Sequence, residues 1–168
     1  MLQNRMSRFE QLVMPHLKVA WHLARWLARN DSDAEDVVQE AFLRAFRYFD
    51  GFHGGNARAW LLTIVRNAYY DSLPTGLPPE PLDEELGPAD WSTNPEQLAE
   101  RKDDCLQVNT ALRRLPAAYR EVLILREIAD CSYRDIADIT GLPEGTVMSR
   151  LSRARALLVH YLAQREEK

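Results

Sequence analysis

Apolar residues recur every three or four positions along most of this chain, separated by short polar breaks, and no stretch shows the alternation of a half-buried strand. Phe9, Leu12, Val13, Val19, Leu23 and Trp26 keep helical spacing. Ser7 and Glu10 form an S-x-x-E capping box ahead of them, and Pro15 predicts a bend or restart. A second box, Ser32 with Glu35, predicts a helix from about Asp33 to Tyr48, its first turn rich in acids that suit the helix dipole. The run FDGFHGG then breaks the pattern. Asn56 is placed to cap a third helix carrying Trp60, Leu61, Ile64, Val65 and Ala68, which should end near Ser72, before Pro74.

Periodicity returns after a gap. Asn94, with Pro95 at the first helical position, opens a helix to about Arg114. Pro116 starts the next, through Val122, Leu123, Leu125 and Ile128. Ser132 caps a short helix that stops at Gly141, and a last helix runs from about Glu144 nearly to the end. The pattern predicts an all-α protein of two small helical domains, 1–73 and 98–168. The intervening PTGLPPEPLDEELGPADWSTN has the proline-rich, aperiodic composition of a flexible linker, which we bound at 74–97.

Charge sharpens this division. The 168 residues carry a net charge of -4, which by itself argues against a nucleic-acid binder. Yet residues 1–73 hold 9 Lys/Arg against 8 Asp/Glu, 74–98 hold none against 6, and 99–168 hold 12 against 11. The acidity sits in the linker. The hydrophobic fraction of 46% and charged fraction of 27% are those of a folded soluble protein. With no membrane-length apolar run and no signal-peptide core, a cytoplasmic location is expected. Cys105 and Cys131 lie apart without a CxxC motif or a neighbouring histidine, so reduced thiols are expected and no metal site or cofactor.

Within SYRDIADITGLPEGTVMSRLSRARALL the layout is that of a helix-turn-helix. Ala137 is small where the second helix approaches, Gly141 can take a positive φ, and Val147 packs into the angle. Val147, Leu151, Ala154 and Leu158 make the inward stripe, leaving Thr146, Ser149, Arg150 and Arg153 outward. Residues 145–158 carry three arginines and no acid. Arginine can grip a guanine edge or a phosphate, and hydroxyls can bond either. Tyr133 and Arg134, at the start of the first helix of the motif, complete the candidate DNA-binding set, while Arg155 is equally suited to pair with an acid.

In the first half, Asp36, Gln39, Glu40, Leu43 and Arg47 share one face of their helix, and Val37, Val38, Ala41 and Ala45 the other. Leu43 is therefore an apolar residue on a polar face. With DAEDVVQEAFLRAFRYF, WLLTIVRNAYYDSL, LPAAYREVLILRE and GTVMSRLSRAR in this order, the chain resembles the extracytoplasmic-function sigma factors of bacterial RNA polymerase. The resemblance covers about residues 8–73 and 98–163.

It implies a sigma factor that binds core RNA polymerase and directs promoter-specific initiation, in a stress or envelope response, without catalysis. Core polymerase and promoter DNA are the implied partners, and an anti-sigma protein is a further one that the resemblance raises. The first domain would hold the polymerase clamp through Asp36, Gln39, Glu40, Leu43 and Arg47. Phe52, His53 and Asn56 in the glycine-rich loop, with Trp60, Arg66 and Asn67 on the next helix, would receive the minus-ten element. The second domain would read the minus-thirty-five element. Family members often follow DSL with several arginines, where this chain has PTGLPPEP, and Met148 stands where some relatives carry a basic residue, so no promoter sequence carries over. Two other readings fit less of the chain. A helix-turn-helix regulator acting without polymerase accounts for residues 132–160 and not for the first half. An enzyme would have to rely on His16, His22, Glu35 or Glu40, none of which stands in an H-E-x-x-H or similar motif.

Overall fold

The computed structural model describes residues 1–75 and 102–166, and among these every regular element is a helix. The expected linker, its bounds, the Asn94 cap with Pro95, and the Cys105 side chain lie outside the described residues. The first half contains α1 (Leu2–Val13), α2 (Leu17–Leu27), α3 (Asp31–Arg47) and α4 (Ala57–Ser72). The second contains α5 (Lys102–Arg114), α6 (Ala117–Glu127), α7 (Tyr133–Thr140) and α8 (Glu144–Glu166).

Local chemistry explains most boundaries. Pro15 sits in a single 3-10 turn, Met14–His16, that separates α1 from α2. Asn56 caps α4 by accepting from the Ala59 amide at 3.1 Å. Ser132 and Asp135 form a reciprocal box at the start of α7, and Gly141 ends that helix at φ 74, its amide donating to Ala137 O. Two expectations are corrected. Ser7 lies inside α1, which already begins at Leu2, so the Ser7–Glu10 box does not start a helix. At α3 the cap is Asn30, extended at φ -148 and accepting from the Asp33 amide at 2.8 Å, so Ser32 falls inside the first turn.

Helices α2, α3 and α4 pack together in the first half, and α6, α7 and α8 in the second. Val13, Leu23, Leu27, Leu61, Leu62 and Val65 fill the first core; Tyr119, Val122, Leu125, Ile136, Val147 and Leu151 fill the second. The halves also pack on each other, α2 against α6 and α4 against α7. A continuous apolar cluster therefore runs through both halves. Domains of this size bury too little surface for thick cores, and sharing a wall offsets that deficit.

Gly141 is where the second half depends most on one backbone conformation. Gly141→Ala should lower stability by about 1–2 kcal/mol, because a Cβ is disfavoured in the left-handed region although no neighbouring atom crowds it. Urea unfolding followed by far-UV circular dichroism measures this; unchanged stability would contradict the cap geometry.

Candidate nucleic-acid interface

Helix α3 presents two faces. Ala34, Val37, Ala41 and Ala45 are buried, and Val38 is partly so. Asp36, Gln39, Glu40, Leu43 and Arg47 are all exposed on the opposite side. Leu43 is 63% exposed, an apolar side chain whose burial does nothing for the fold. Glu40 is engaged: it accepts from Arg44 at 2.9 Å, and Arg44 also reaches Asp71 of α4 at 2.7 Å. Those hydrogen bonds hold the Arg44 guanidinium above its ordinary pKa. Alongside this face α1 and α3 enclose an apolar groove lined by Met6, Phe9, Met14, Phe42, Leu43 and Phe46. Periodicity in α1 did not reveal this groove, because Met6 and Met14 read as ordinary helix residues; their exposure, 55% and 42%, is the signal.

The glycine-rich loop that follows α3 is anchored from both sides. Arg5 donates to Asp50 at 3.0 Å and to Phe46 O at 2.6 Å, its guanidinium stacked on the Phe46 ring. Phe52 is placed differently from the expectation of an open base-stacking face. It is only 7% exposed, stacked on Phe49 and 5.0 Å from the Trp60 ring, so it supports the loop from beneath. His53 and Asn56 remain exposed at the surface. Gly54 and Gly55, both at φ near 100, let the backbone turn there. Trp60 and Arg66 are half-buried and Asn67 is exposed.

In the second half Val147, Leu151 and Ala154 are buried and Leu158 packs against the core, as the inward stripe requires. Ser149 and Arg134 are exposed; Thr146, Arg150, Arg153 and Tyr133 are half-buried. The Tyr133 ring carries the Arg126 guanidinium 4.7 Å from its centroid. Arg155 pairs with Glu127 at 2.7 Å.

Sequence reasoning missed the contacts between the halves. Arg113 donates to Ala28 O at 2.6 Å and Arg25 O at 2.8 Å, and Arg120 lies 3.4 Å from Leu27 O. These carbonyls end α2 and have no partner in their own helix, so cations there satisfy them and suit the negative end of the dipole. Arg58 of α4 donates to Asp130 O at 3.1 Å. Glu121 of α6 is 1% exposed, its carboxylate accepting from Arg66 Nε and, at 3.0 Å, from the Tyr70 hydroxyl, both on α4. Burial pushes the Glu121 carboxyl above its usual range, against the opposing pull of Arg66, Tyr70 and nearby Arg150. Nothing local marks this residue, since its partners lie 51 and 55 positions away.

Among the described residues no group of His, Cys, Asp and Glu could hold a metal ion, and no helix is long and apolar enough to cross a membrane. The buried Cys131 thiol is pushed up to about 11 by desolvation, which keeps it protonated at neutral pH.

Residues 12–75 match the family model for Sigma-70 region 2, and residues 105–158 that for Sigma-70, region 4. The chain is 33% identical to the ECF RNA polymerase sigma factor SigE of Mycolicibacterium smegmatis, across 96% of this chain and 64% of that one. It is 34% identical to the ECF RNA polymerase sigma factor SigM of Mycobacterium tuberculosis, across 92% of this chain and 76% of the relative. Among solved structures it is similar to the sigma factor RpoE in complex with the anti-sigma factor NepR from Bartonella quintana. That likeness has a TM-score of 0.68 and 32% identity, covering 93% of this chain and 97% of that one. CnrH in complex with the cytosolic domain of CnrY gives the same TM-score of 0.68 at 28% identity, covering 95% and 90%.

The exposed leucine of α3 offers a direct contrast with the core. Leu43→Ala should change stability by less than about 0.5 kcal/mol, whereas Leu61→Ala should cost about 2–5 kcal/mol. Denaturant midpoints compare the two; a large loss from Leu43→Ala would mean that the face is structural.

Proposed function

Because the chain belongs to the extracytoplasmic-function sigma factors, we propose that it docks on core RNA polymerase and directs initiation at a chosen set of promoters. Two matched regions in family order, each carrying an exposed surface of fitting chemistry, are the observation that carries this reading. A regulator acting without polymerase leaves the region 2 match and the exposed α3 face without a purpose. The work is recognition, not catalysis, and is done in the cytoplasm, where polymerase and promoters are.

The roles follow from the surfaces. Asp36, Gln39, Glu40, Leu43 and Arg47, with the adjoining apolar groove, offer apolar area rimmed by charge, which suits a polymerase helix of basic and apolar character. His53, Asn56, Arg66 and Asn67 present donors, acceptors and a planar ring to an unpaired minus-ten strand, and Trp60 with Phe52 stiffens the platform beneath them. Thr146, Ser149, Arg150 and Arg153, flanked by Tyr133 and Arg134, face duplex DNA upstream. The similar sigma factors solved with anti-sigma partners support a further partner of that kind for this chain.

Glu40→Lys with Leu43→Ala should abolish co-purification with core polymerase while far-UV circular dichroism stays that of the wild type. Arg150→Ala and Arg153→Ala should leave core binding intact and weaken upstream promoter recognition by about 1–3 kcal/mol each if the side chain reads a base. Full core binding by the first variant would overturn the α3 assignment. Full promoter-dependent transcription by the doubly substituted second variant would overturn the recognition helix.

A further inference from the structure

Arg66 is asked to serve two partners. In the packed chain its guanidinium lies 4.6 Å over the Tyr70 ring and holds the buried Glu121 carboxylate, whose second oxygen accepts from the Tyr70 hydroxyl at 3.0 Å. A cation and a hydroxyl sharing the two oxygens of one anion is also the donor set that binds a phosphate. Helix α4 carries both donors on the side facing the second half, one turn from each other, and Arg66 adjoins Asn67 on the strand-receiving surface proposed above.

We infer that Arg66 and Tyr70 form a nucleic-acid phosphate site which Glu121 fills while the two halves are packed, so that domain packing and DNA engagement compete for one guanidinium. The inference rests on the sigma-factor reading for the identity of its ligand, and on the geometry for the competition.

The same carboxylate also feels Arg150, a residue of the proposed upstream reader, so Glu121 faces an arginine of each DNA-reading surface. The neighbouring contacts act in the same sense: Arg58 to Asp130 O joins α4 to the turn before α7. A buried ion pair contributes little net stability, because desolvating both charges cancels most of their attraction. Its removal by a competing anion is therefore cheap. The raised carboxyl pKa of Glu121 fits this, since it means that the ion regains favourable hydration when the halves separate.

The test uses the full chain and three variants. Glu121→Lys places like charges together in the interface. Glu127→Lys makes the same change of net charge at an exposed residue of the same helix. Arg66→Glu with Glu121→Lys reverses the pair and keeps the net charge of the wild type. Small-angle X-ray scattering reads packing, circular dichroism reads folding, and titration of labelled oligothymidylate at fixed salt reads phosphate binding. Glu121→Lys should show a larger radius of gyration than wild type and bind the oligonucleotide about fivefold or more tighter than Glu127→Lys. The reversed pair should scatter like wild type and bind no tighter than wild type. Wild-type scattering from Glu121→Lys, binding equal to that of Glu127→Lys, or tight binding by a compact reversed pair would each overturn the inference. Core polymerase retention by the wild-type chain, measured alongside, separates failure of this inference from failure of the functional reading.

Discussion

The carboxyl end of α2 is the joint on which the arrangement turns. Its last carbonyls, at Arg25, Leu27 and Ala28, emerge where the first core meets the second half. Left buried without donors they would cost more than packing the surrounding apolar residues could recover. Arg113 and Arg120 supply the donors, and Arg113 also lies over the Trp26 ring at 4.9 Å. Each guanidinium lays apolar stem and planar head against the interface, so the same residues that neutralise the helix end also fill space. The second half is thereby seated on the first through polar groups that water could also satisfy, an interface able to close without being locked.

This seating sorts the functional surfaces into two classes. The α3 face and its groove lie on the far side and stay open while the halves are packed, as does the loop at His53. Arg66, Arg150 and Trp60 lie toward the packed side and are half-covered. On the proposed reading, a chain in this form is ready for polymerase before it is ready for promoter. Docking that separates the halves would release the DNA-reading arginines and rehydrate Glu121 in one step. A net charge of -4 works in the same direction, since the free chain has little general attraction for a polyanion.

What could be read from sequence follows the range of the forces involved. Gly141, Asn56 and the Ser132 box act within four residues of themselves, and each was legible. The α3 faces were legible because a helix repeats its burial every turn and Leu43 breaks that repeat. The Ser32–Glu35 box misled because Asn30, two residues earlier, could take the extended backbone that a cap needs, and the reciprocal pattern of Ser32 gave no advantage against it. Phe52 misled in another way: an aromatic in a glycine-rich loop reads as available, but Phe49 and Trp60 come from either side to cover it. The Arg66–Glu121 pair joins residues that share no periodic pattern and no motif, so only the folded chain brings it into view.

The central claim is that promoter choice by this chain requires polymerase, and transcription in vitro from a promoter library tests it most directly. The chain should yield transcripts from a restricted, sequence-related subset of templates only when core polymerase is added, and should bind those same templates weakly alone. Tight, sequence-specific binding by the chain alone, with no selective initiation when core polymerase is present, would contradict the account.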